Sequence, residues 1–208
     1  IMFKCAFDFD TMTQSPLRYK EWYMDKQDFL PTAKPFLSEI KGVIDRVETI
    51  VGVDGNKIDL YISQPEKLTD SVPAVVHMHG GGMVMCSPED PMYVRWRLEL
   101  ASRGLVCVSV KFRNCSGNKN RPQGWRKPKG FPEGLNDCVS AIKWVSENKS
   151  DLKVKKVITM GESGGGNLCI TSAMKSASLG VPVDGVYASC PFSSNMWDVS
   201  APDFGKRF

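Results

Sequence analysis

The sequence predicts an α/β fold: a mostly parallel sheet flanked by helices. Three observations carry this expectation. From Val72 onward, apolar runs of strand length alternate with segments of helical period, the pattern of successive βαβ units. The run Val72–Met78 flows directly into His79-Gly80-Gly81-Gly82. A second run, Lys156–Met160, leads into Gly161-Glu162-Ser163-Gly164-Gly165-Gly166, with a helical pattern following over Gly165–Ser178. Parallel strands joined by right-handed crossovers gather ligand sites at their carboxyl ends, so both glycine stretches are expected at one edge of the sheet.

Composition narrows the classes. A chain of 208 residues can bury one sizeable core and hardly two. Hydrophobic residues at 42% place it among globular chains rather than disordered ones. The net charge of +4 is too mild to indicate a nucleic-acid partner or a membrane surface. No apolar run reaches the roughly 18 residues of a membrane span. Seven cysteines without a C-x-x-C pair argue against a zinc or dithiol site. Several lie in apolar runs, as buried free thiols of a reducing, cytoplasmic compartment would.

The elements follow in order. Residues 1–45 are rich in aromatics and broken by Pro16, Pro31 and Pro35, with a helical pattern around Leu17–Phe29. They read as a packing arm or a lid. Val47, Thr49, Val51 and Val53 alternate, Asp54-Gly55 signals a turn, and Ile58, Leu60 and Ile62 alternate again, predicting an antiparallel strand pair. Val72–Met78 is apolar almost throughout, as a strand covered on both faces should be. Pro88–Gly104 reads as a helix with Tyr93, Trp96, Leu100 and Ala101 on one stripe, Arg95, Arg97 and Glu99 elsewhere, and Gly104 as its cap. Leu105–Phe112 is the next strand. Residues 111–130 hold seven basic residues and no acidic one, but few aromatics, so a solvated loop is expected rather than a nucleic-acid surface. Pro132–Asn148 is the clearest helix, with Leu135, Cys138, Val139, Ile142 and Val145 on one face. Asp137, at the edge of that face, reads by default as a surface carboxylate, with a buried acid that positions a loop as the alternative. Val183–Cys190 is the last strand.

The two glycine stretches carry chemistry. A serine at the tip of a strand–turn–helix, in the spacing G-x-S-x-G, is the nucleophile elbow, a strained turn that pushes the hydroxyl out of the chain. The helix after it aims free N–H groups and its positive end at Ser163. Glycines after a buried strand leave further N–H groups unshielded. Ser163 is therefore the candidate nucleophile, and Gly81, Gly82 and Gly164 are candidate donors to an oxyanion. His79, Gly80, Gly161, Glu162 and Gly165 complete the two motifs. His77 and His79 share one strand face, but no third ligand cluster accompanies them, so no metal site is assigned. His77 reads as a core residue and His79 as a hydrogen-bonding brace for the glycine loop.

These residues, with Phe131-Pro132 and Asp137-Cys138, resemble the α/β-hydrolase fold and, within it, the hormone-sensitive-lipase-like family of carboxylesterases. The resemblance covers roughly Val47–Pro191. It implies a serine ester hydrolase acting through an acyl-enzyme on Ser163, with a small-molecule ester as substrate and no cofactor. It also implies an N-terminal cap-like segment over residues 1–45 and a partial hydrolase core over 46–208. Two departures stand out. Gly164 occupies a position where the family often has alanine, and Lys111-Phe112-Arg113 stands where a tyrosine–arginine pair is usual.

A serine needs a general base, and in this fold the acid and the histidine follow the nucleophile in the chain. No histidine follows Ser163. The expectation is a fragment, incomplete at the C-terminal end and nearly inactive alone, because the chain lacks an initial methionine, its tail has no folded ending and its last strand would be left as an edge. The alternative is a non-catalytic, hydrolase-like protein that binds a small ligand.

Overall fold

The computed structural model describes residues 40–114 and 131–192. Among them are six strands and three helices: β1 (Val43–Val51), β2 (Lys57–Pro65), β3 (Val72–Met78), α1 (Pro91–Ser102), β4 (Val106–Val110), α2 (Glu133–Glu147), β5 (Val154–Glu162), α3 (Gly164–Ser178) and β6 (Gly185–Ser189). The expected cap-like segment, up to residue 39, lies outside the described residues, as do most of the basic loop and the tail from residue 193. The first described strand, β1, begins at Val43.

The strands form one sheet in the order β1-β2-β4-β3-β5-β6. Only β2 runs against its neighbours; every contact among β4, β3, β5 and β6 is parallel. The chain steps from β3 to β4 through α1, then crosses back over β3 to β5 through α2. Right-handed crossovers in opposite directions place α1 on one face and α2 with α3 on the other. In keeping with this, α1 packs on β2 and β4, while α2 and α3 pack on each other.

Burial explains the patterning. β4 is buried at every position, and β3 from Ala74 to Met78, as expected of strands covered on both faces. On β2 the alternating Ile58, Leu60 and Ile62 point into the core. Helix α1 stops as Gly104 predicts: the Gly104 amide bonds to Ala101 and the Leu105 amide to Leu100, a Schellman cap, with Gly104 at φ 91°. At the end of the strand order, β6 leaves Val186 and Tyr187 exposed.

Two polar residues lie deeper than expected. Arg97, assigned away from the apolar stripe, is buried; it holds both carboxylate oxygens of Asp45 at 3.0 and 2.9 Å and so ties α1 to β1. Asp137, expected at the surface, is 1% exposed. Its carboxylate accepts from the Arg113 amide at 2.8 Å, the Arg113 side chain at 2.8 and 2.9 Å, and Asn56 Nδ2 at 2.9 Å. The default for an edge carboxylate fails because four donors, three from Arg113 and one from Asn56, converge on it.

Candidate active site

The ends of β3 and β5 bring the two glycine stretches together. In the parallel ladder Met78 lies opposite Gly161. Both strands end within a residue or two of that pair, so the loop from His79 and the turn at Ser163 leave the sheet side by side. Contact between them is backbone to backbone. A Cβ placed on Gly164 would stand 2.8 Å from Gly82 Cα and 2.8 Å from the Met83 nitrogen, closer than any side chain can approach.

Ser163 sits at the N-terminal end of α3 with φ 54° and ψ −119°, and it is exposed. A non-glycine residue in that region carries strain of about 1–3 kcal/mol, which its surroundings must hold. They hold it through the backbone: the Ser163 amide donates to Ser189 at 3.0 Å, and the Ser163 carbonyl accepts from Asn167 at 3.1 Å and Phe192 at 3.0 Å. Among the described residues no hydrogen bond engages the Ser163 hydroxyl.

The expected donors are in the same place. Gly81 has φ 100°, and a Cβ there would lie 2.5 Å from the Met85 carbonyl, so the loop needs glycine at this turn. The Gly81 carbonyl accepts the amides of Val84 and Met85. Among the described residues, the amides of Gly81, Gly82 and Gly164 donate to no protein acceptor. At Gly164 this follows from its position as the first residue of a helix.

Both histidines are occupied elsewhere. His79 is buried; the Gly80 carbonyl, an acceptor, lies 2.8 Å from Nδ1, which therefore carries the proton. The His79 ring stacks on Phe112 at 4.2 Å. Burial outweighs the Gly80 bond and lowers the His79 pKa to about 4, so the ring is neutral at ordinary pH. His77 Nδ1 lies 3.3 Å from Ser109 Oγ, and its Nε2 lies 3.5 Å from Glu162 Oε2.

Glu162 is the residue whose part the sequence left undefined. Its Oε1 accepts the Gly80 amide at 2.6 Å, and the same amide lies 3.1 Å from the Tyr93 hydroxyl. Burial pushes the Glu162 pKa up, but the neighbouring His77 ring, the nearby Tyr93 hydroxyl and the Gly80 amide outweigh it and keep the carboxyl below its ordinary range. Tyr93, read only as an apolar helix position, supplies a hydroxyl at this junction; spacing on α1 gives no sign of it. Among the described residues no group of three or more metal-binding side chains is gathered. An open cavity of about 400 Å³, bordered by Gln64–Thr69 and Asp151–Lys153, lies at the opposite, amino-terminal end of the parallel strands.

The chain is similar to known proteins. The family model BD-FAE matches residues 58–189. Carboxylesterase NlhH of Mycobacterium tuberculosis (strain CDC 1551 / Oshkosh) is 28% identical over 162 residues, covering 76% of this chain and 46% of that protein. Hormone-sensitive lipase of Mus musculus is 30% identical over 146 residues, covering 68% of this chain and 17% of the lipase. Among solved structures, brefeldin A esterase, a bacterial homologue of human hormone-sensitive lipase, superposes with a TM-score of 0.72 at 34% identity, over 84% of this chain and 48% of that one. The chain thus spans about half the length of NlhH and of brefeldin A esterase. No helix among the described residues is long and apolar enough to cross a membrane. With its sheet order, its glycine loop and its serine turn at adjoining strand ends, the chain belongs to the BD-FAE family, among the hormone-sensitive-lipase-like α/β-hydrolases.

Proposed function

We propose that the protein is a serine hydrolase of small carboxylic esters, with Ser163 as nucleophile and the amides of Gly81, Gly82 and Gly164 as its oxyanion hole. The observation that carries this is the set of three undonated amides on the two backbones that meet beside an exposed serine at positive φ. Ser163 Oγ attacks the ester carbonyl carbon and gives its proton to a general base. The carbonyl oxygen takes up the electron pair, and the three amides stabilise that charge. Collapse expels the alcohol, protonated by the same base, and water then releases the acid from the acyl-serine.

The base belongs to sequence outside these 208 residues. His77 and His79 are both buried and engaged, and no histidine follows Ser163. That the matches cover only 46% of NlhH and 48% of brefeldin A esterase supports this. Buried free thiols at Cys107 and Cys138 support a reducing, cytoplasmic setting, and the mild net charge supports a small-molecule partner rather than a nucleic acid.

The test is hydrolysis of a short-chain aryl ester by the chain extended with the sequence that follows Phe208 in its reading frame. Turnover that Ser163→Ala abolishes is expected. Turnover that survives Ser163→Ala overturns the nucleophile assignment; absence of turnover in the extended chain favours the binding alternative.

A further inference from the structure

We propose that Glu162 is a positioning residue: its carboxylate holds the Gly80 amide and thereby sets the Gly81–Gly82 donors in line with Ser163. This rests on the ester-hydrolase reading above and goes beyond it by naming what fixes the oxyanion loop.

The loop needs such an anchor. After Met78 the chain leaves the β3 ladder, and the amides of Gly81 and Gly82 bond to no protein group among the described residues. Gly81, Gly82 and Met83 all have positive φ, a conformation that sheet pairing does not impose. Donors to an oxyanion work only when preplaced, and a misplacement of about 1 Å can cost about 100-fold in rate. Two bonds fix the chain just before the two donors: His79 Nδ1 donates to the Gly80 carbonyl at 2.8 Å, and the Gly80 amide donates to Glu162 at 2.6 Å, a bond of the short, charge-assisted kind.

The carboxylate is itself set among three neighbouring elements. It is the last residue of β5, in register with Ser189 of β6. Tyr93 of α1 accepts the same Gly80 amide beside it, and His77 of β3 places Nε2 3.5 Å from Oε2, close enough for charge attraction but with no hydrogen bond between them. Glu162 also precedes Ser163 directly, so one residue couples nucleophile and oxyanion loop: a shift of the elbow carries the loop anchor with it. The chemistry favours placement over charge, because a negative group beside a developing oxyanion is unfavourable in itself. An uncharged acceptor of the same shape is therefore expected to do the same work.

The experiment uses the extended chain and measures kcat and KM for the aryl ester, normalised to reactive serine by titration with a fluorophosphonate. Glu162→Ala and Glu162→Leu are expected to lower kcat about 10- to 100-fold, with KM within about twofold. Glu162→Gln is expected to recover most of that loss. The leucine variant keeps the volume, so it gives a reading even where alanine does not fold. A leucine or alanine variant with wild-type kcat per reactive serine, or a glutamine variant as slow as leucine, overturns the proposal. A purely structural role would lower thermal stability in all three while leaving kcat per reactive serine unchanged. If the unsubstituted chain neither hydrolyses the ester nor reacts with the phosphonate, the ester-hydrolase reading fails and this inference falls with it. An active wild type with unimpaired Glu162→Leu removes the positioning role alone.

Discussion

Gly164 leaves Gly82 no room for a methyl group: a Cβ at residue 164 would stand 2.8 Å from Gly82 Cα and 2.9 Å from the Gly82 nitrogen. Alanine, the residue the family often carries here, would have to push the loop away, because the obstructing atoms are backbone. Gly164→Ala is expected to lower kcat for an aryl ester about tenfold or more, since two of the three proposed oxyanion donors lie on the displaced loop. Steady-state kinetics of the extended chain check this; an unchanged kcat would mean that the loop yields without losing its aim.

Ser163 pulls stability and activity apart. Its φ of 54° with ψ of −119° suits glycine far better than serine. Ser163→Gly is expected to abolish turnover while raising the unfolding free energy by about 1 kcal/mol, part of the relief being offset by the greater freedom of glycine in the unfolded chain. Urea denaturation of the two proteins measures the difference, and a glycine variant less stable than wild type refutes the strain.

What the sequence revealed and what it hid divide along physical lines. Strand β3 has the predicted bounds, and the core of every later strand and helix is where periodicity placed it, because burial on one or two faces writes itself into apolar spacing. The meeting of Gly82 with Gly164 was also legible, since parallel strands ending in glycine loops share one edge of the sheet. Polar burial was not legible. Asp137, Arg97 and the Tyr93 hydroxyl sit on helices whose periodicity gives a side-chain direction but not a partner. Their partners, Arg113, Asp45 and Gly80, are brought to them only by the tertiary fold.

The Asp137 hub makes one of these hidden contacts measurable. Asp137→Ala leaves the Arg113 amide, its guanidinium and the Asn56 amide without their acceptor, although Asp54 and Glu133 still attend Arg113. A loss of about 3 kcal/mol in unfolding free energy is expected, the usual scale for orphaning one side of a buried ion pair. Asp137→Asn, which keeps one carbonyl acceptor, is expected to lose less. Equal stability of Asp137→Ala and wild type by urea denaturation would show that the hub is replaceable by water.

His79 predicts how the fold responds to acid. Burial brings its pKa from 6.5 in the unfolded chain down to about 4 in the folded one. Below pH 6.5 the unfolded chain takes up a proton that the folded chain refuses until about pH 4, so unfolding binds protons and stability falls with falling pH. The contribution is fully present above 6.5 and is lost as the pH drops toward 4. At about 1.4 kcal/mol per pH unit, it amounts to on the order of 3 kcal/mol. His79→Asn removes the titration while keeping a side-chain N–H able to reach the Gly80 carbonyl. It gives up the stack on Phe112, so it is expected to be less stable at every pH. The slopes are what differ: between about pH 7 and pH 4.5, wild type is expected to lose roughly 2 kcal/mol more than His79→Asn in urea denaturation. Two curves falling in parallel over that range would place the acid sensitivity elsewhere in the fold.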